Sequence, residues 1–88
     1  MSFAKEVETV LNDISKLLID KNKKYGNSAL EPVRIFSKAN SIEQLLVRID
    51  DKISRLKNTQ VNEDEDVLFD LVGYLVLLLI ANKNNKGE

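Results

Sequence analysis

Fifteen consecutive positions, Val67 to Ala81 (VLFDLVGYLVLLLIA), are almost entirely apolar. A helix that is apolar on all sides must be covered on more than one of them. An acidic turn, Asn62 to Asp66, leads into the run, and one carboxylate, Asp70, stands inside it. Steps of three and four residues return to the same side of a helix, so Glu63, Asp66, Asp70, Gly73 and Tyr74 share a face. A carboxylate on such a surface needs a cation or a donor beside it. The run falls short of the ~20 residues of a membrane span. It therefore reads as a core helix, packed inside the chain on one face and against a second subunit on another, with no membrane partner.

The remaining composition narrows the chemistry. The chain has 88 residues, enough for a single domain spanning 1–88. A core of that size is modest, and burial by homo-oligomerisation is the expected supplement. There is no cysteine and no histidine. Disulfides, thiol chemistry, zinc sites built on those residues and the commonest general base are thereby excluded. The formal net charge of -1 gives no general attraction to nucleic acid. Met1 to Asp20 is amphipathic and charged, unlike a signal peptide, and a cytoplasmic setting is expected.

Along the chain, Ser2 to Asp20 repeats apolar residues every three or four positions: Phe3, Val7, Val10, Leu11, Ile14, Leu17 and Leu18. This predicts a packing helix. Lys21 to Ser28 (KNKKYGNS) predicts a basic loop, either a solvated connector or a phosphate-binding turn in which Lys24 supplies charge and Tyr25 stacks on a base. Pro32 suits the first turn of a short helix within Ala29 to Lys38. Ser41-Ile42-Glu43-Gln44 matches a capping box, followed by an apolar face of Ile42, Leu45, Leu46, Ile49, Ile53 and Leu56. Asn62 with Glu65 predicts the cap of the last helix, and 82–88 a frayed tail. The expected fold is all-α: three long helices plus one short one, a bundle completed by oligomerisation.

Two polar stripes border these apolar faces. Arg48, Asp51, Lys52 and Arg55 form one, and Glu63, Asp66, Asp70 and Tyr74 the other. Short connections favour antiparallel neighbours, which lets the stripes face each other. Three readings follow. The stripes form an internal ion-pair network. Alternatively, Glu63, Asp66 and Asp70 hold magnesium, which takes oxygen ligands and bridges to phosphates. Or Arg48, Lys52, Arg55 and Lys24 grip phosphate directly, with Tyr25 or Tyr74 against a base and Asp51 and Asp70 orienting the cations.

Tyr25 to Ser28 (YGNS), Leu46 to Leu56 (LVRIDDKISRL) and Glu63 to Ile80 (EDEDVLFDLVGYLVLLLI) resemble a family of small phage and prophage proteins. This is the nucleotide-modification-associated domain, distantly similar to the MazG-like all-α nucleotide pyrophosphatases. The sharpest parts are Arg48, Asp51, Lys52, Arg55 and Leu56 in one helix, and Glu65, Asp66, Asp70, Leu71 and Tyr74 in the other. The pyrophosphatases bind magnesium through an E-x-x-E pair and an E-x-x-D pair. Glu63 and Asp66 match the second, while the first is replaced by Asp51 among Arg48, Lys52 and Arg55. The resemblance thus implies a small-molecule nucleotide ligand held by phosphate contacts, one version being sequestration of cyclic or modified nucleotides of host antiviral defence. A magnesium-dependent pyrophosphohydrolase and a non-catalytic interaction module are the alternatives.

Overall fold

The computed structural model describes residues 2–31, 39–58 and 65–86, apart from the side chains at 65, 66, 85 and 86. Within them the chain is all-α. It forms α1 (Phe3–Tyr25), α2 (Ser41–Asn58) and α3 (Glu65–Lys86), with no strand among the described residues. The expected short helix around Pro32, the Asn62 cap and Glu63 lie outside the described residues.

Ser2 caps α1: its Oγ accepts from the Lys5 amide at 3.2 Å. The helix does not stop at Asp20. It runs on through Lys21–Tyr25 and ends at Gly26, so the first part of the expected basic loop is helix. Lysine is a good helix former, and Lys23 and Lys24 in the last turn favour the helix C-terminus. Gly26 has φ 70° and ψ -165°, a conformation open essentially to glycine alone, and this ends the helix. A tight turn follows, in which the Asn27 carbonyl accepts from the amides of Leu30 and Glu31.

α2 is capped one residue earlier than the capping-box motif indicates. Asn40, not Ser41, accepts from the Glu43 amide through its Oδ1 at 2.9 Å, and the Gln44 side chain donates to the Ala39 carbonyl. Asparagine suits the role at least as well as serine. At the other end of the chain, α3 remains helical to Lys86, so the expected frayed tail is helix over most of its length. The longer helix also changes the membrane arithmetic. The window Val67–Asn84 is long and apolar enough to cross a bilayer, and 17% of it is buried within the chain.

Two pairs of contacts fix the arrangement. Lys21 reaches Asp70 and Leu18 meets Gly73, so residue numbers rise on α1 as they fall on α3. Lys52 reaches Asp70 and Arg48 covers Tyr74, the same relation between α2 and α3. Both outer helices therefore run antiparallel to α3, which lies between them. α3 packs extensively with α2 and only narrowly with α1. The core follows that division: Leu45 and Ile49 of α2 and Val67 and Ala81 of α3 are buried, against Ile14 alone from α1. Leu45, at 1% exposure, is its most enclosed side chain.

Much of the predicted apolar surface stays uncovered. On α1, Phe3, Val7, Val10 and Leu11 are exposed. On α2, the face divides: Leu46 and Ile53, seven residues apart, are exposed. On α3, Leu75 and Leu79 are exposed, the latter at 69%. The radius of gyration is 14.6 Å, whereas a compact domain of this length has about 12 Å. Among the described residues the three helices form an open layer and not a closed bundle.

Candidate functional site

An open layer with its longest apolar helix in the middle leaves a trough over that helix. Its floor is α3, with Phe69, Asp70, Gly73, Tyr74 and Leu77. One wall is the C-terminal half of α1, contributing Leu18, Lys21 and Tyr25, and the turn Gly26–Leu30 closes the end. Arg48 of α2 reaches in from the other side. The volume of this half-open trough is about 540 Å³, within the range of small-molecule sites. The lining is mainly apolar, with polar groups at the rim.

Asp70 organises the charge. Its Oδ1 pairs with the Lys21 ammonium at 3.3 Å and its Oδ2 with that of Lys52, also at 3.3 Å. One carboxylate thus joins all three helices. Lys52 is only 13% exposed and Asp70 27%, so this pair is largely withdrawn from water, whereas Lys21 is half exposed. Burying the long lysine stem against α3 while the ammonium meets a carboxylate accounts for the position of Lys52. No buried side-chain nitrogen or oxygen among the described residues lacks a partner.

Arg48 lies over the Tyr74 ring, its guanidinium 6.0 Å from the centroid. That separation is at the outer limit of a cation–π contact. Arg48 is an exposed residue and lines the trough. At the α1 end, Lys24 sits 5.3 Å from the Tyr25 ring centroid, and Tyr25 is itself exposed.

The expected site residues therefore separate. Arg48, Tyr74, Tyr25 and Asp70 come together on the trough. Lys52 lies behind it, engaged by Asp70. Asp51 and Arg55 pair with each other on the exposed side of α2 at 3.3 Å, four residues apart, and do not line the trough. Lys24 contributes its contact with Tyr25 and is not part of the lining. Of the three candidate magnesium ligands, Glu63 and the Asp66 side chain lie outside the described residues. Asp70 has an ammonium on each oxygen, an environment that disfavours a divalent cation. No group of three or more metal-ligating side chains gathers among the described residues.

In the sequence Lys21 reads as one lysine of the basic loop, and its pairing with Asp70 is what that reading did not foresee. Lys21 follows Leu17 and Leu18 by four and three positions, and so shares their face once α1 is carried past Asp20. Extending the helical periodicity by one turn places it opposite α3. Comparison of the chain with protein-family profiles, curated proteins and solved structures finds no match.

Proposed function

We propose that this protein binds a nucleotide or nucleotide-derived signal in the trough by its phosphates and base, without turning it over. The observation that carries the reading is Arg48 held over Tyr74 across from Lys21 and Tyr25, on a cavity of nucleotide size. Guanidinium and ammonium groups make charge-assisted hydrogen bonds to phosphate. Among the described residues, the trough is lined by two cations, Arg48 and Lys21, against one carboxylate, Asp70. An exposed tyrosine ring and the apolar floor suit the face of a base.

Retention is favoured over hydrolysis because Asp70, the one carboxylate that lines the trough among the described residues, is already held by two lysines. A group so placed orients cations; it is poorly disposed to activate water. The open layer and its uncovered apolar strips support a homo-oligomer as the working form. Sequestration of a cyclic or modified nucleotide is the physiological version of this reading.

The test is direct. Purified protein is heat-denatured and its supernatant examined by mass spectrometry, and thermal shift is measured against a broad nucleotide panel. Arg48→Ala should weaken binding at least ten-fold with little change in melting temperature, and Arg55→Ala should leave it unchanged. A supernatant free of nucleotides together with no thermal shift refutes the reading.

A second reading, an interaction module stabilised by internal ion pairs, draws support from Asp70 bridging both outer helices. It predicts that Arg48→Ala alters no binding property. A magnesium-dependent pyrophosphohydrolase requires pyrophosphate release that chelator and Asp66→Asn both abolish.

A further inference from the structure

α1 meets α3 over a much narrower seam than α2 does. Ile14, Leu18 and Lys21 follow one another at helical spacing, and Ile14 is the only buried residue of the helix. Two of the three have defined counterparts on α3: Leu18 meets Gly73 and Lys21 meets Asp70. Gly73 is buried mid-helix, where glycine is otherwise a poor choice. A Cβ built there would stand 3.3 Å from Leu18 Cδ2, closer than ordinary van der Waals contact. Both residues line the trough. The spacing between its α1 wall and its floor is therefore set where one leucine rests on bare backbone.

We infer that Gly73 is a positioning residue: by letting Leu18 seat directly on the α3 backbone, it gauges the width of the trough and hence the size of ligand admitted. The ligand half of this inference rests on the nucleotide reading above; the spacing half does not. Helix separations track the side chains at the contact over a range of about 2 Å. An alanine at 73 meets only the far end of Leu18, a half-buried side chain able to turn aside. A leucine at 73 has no such room, and α1 must lift, drawing Lys21 from Asp70.

The cysteine-free chain permits clean labelling. Spin labels at Glu8→Cys and Lys83→Cys, exposed positions that the register places across from each other on α1 and α3, report the helix separation by double electron–electron resonance in protein diluted with unlabelled copies. Gly73→Ala should match the parent distance. Gly73→Leu should lengthen it by roughly 2 Å, and Leu18→Ala/Gly73→Leu should restore it. The double variant also serves if Gly73→Leu alone does not fold. In parallel, the affinity ratio for AMP against the dinucleotide ApA is measured by titration calorimetry. Gly73→Leu, or a folded variant with the same lengthened distance, should shift the ratio at least five-fold toward ApA, and the double variant should return it.

An unchanged distance in Gly73→Leu, or no restoration in the double variant, overturns the spacing claim. A lengthened distance with an unaltered ratio overturns the gauge of ligand size. If the parent protein binds neither probe, the ligand half fails with them, and the distances alone decide whether Gly73 sets the separation.

Discussion

Asp70 carries the sharpest energetic asymmetry in the molecule, and its removal can be worked through. Asp70→Ala leaves the Lys52 ammonium, 13% exposed, without its carboxylate and in the company of Lys21. Breaking a fully buried pair costs about 3–5 kcal/mol, and an exposed one about 0.2–1 kcal/mol. The Lys52 contact falls between these limits and the half-exposed Lys21 contact near the lower one, so a loss of roughly 1–3 kcal/mol is expected. For a chain of this length each kcal/mol moves the melting temperature by about 4–8 °C. Replacing both partners is a different matter, because apolar side chains of similar volume need no charge compensation. Asp70→Leu/Lys52→Met should lie within about 1 kcal/mol of the parent, and Lys52→Met alone, which leaves Asp70 paired with Lys21, should cost about the same or less. Urea unfolding followed by circular dichroism, at one protein concentration, measures all three. A double variant that loses as much as Asp70→Ala, or an Asp70→Ala variant as stable as the parent, would refute the view that Asp70 is there to neutralise Lys52.

Other expectations follow from single side chains. Leu45→Ala empties the most enclosed core position and should cost about 2–5 kcal/mol, read from the urea midpoint. Asn40→Ala removes the α2 cap and should cost about 1 kcal/mol; Ser41→Ala should cost distinctly less in the same assay. Leu79→Glu places a charge on an exposed apolar strip of α3, and sedimentation velocity should show a shift toward the monomer at equal concentration. An unchanged sedimentation coefficient would remove Leu79 from the association surface.

The helices themselves are legible because periodicity is a local property. Ile42, Leu45, Ile49 and Leu56 repeat at helical spacing, and α2 buries or half-buries each of them. The end of α1 was less so: the polarity of Lys21 to Tyr25 resembles a loop, while the actual stop is the φ of Gly26. Ser41 and Asn40 are both good caps in adjacent positions, and composition does not choose between them. For the candidate site, spacing placed Arg48, Lys52, Asp70 and Tyr74 on facing stripes, and the two contacts across α2 and α3 agree with it. Spacing could not say that Asp51 and Arg55 would turn to each other, since a four-residue step satisfies them within one helix. Nor could it bring Lys21 to Asp70 across 49 positions of sequence, which depends on how α1 folds back.

The narrow seam between α1 and α3 has a mechanical consequence. A slip of one helical turn, about 5.4 Å, would face Leu18 with Leu77 or Phe69 in place of Gly73, given the antiparallel register, and the same slip would part Lys21 from Asp70. The notch is lost in either direction, whereas a slip toward Phe69 would bring Lys21 opposite Asp66 in the register, so the notch and not the charge distinguishes the two seatings. α1 behaves as a key cut for one slot: seated or withdrawn, but not free to slide.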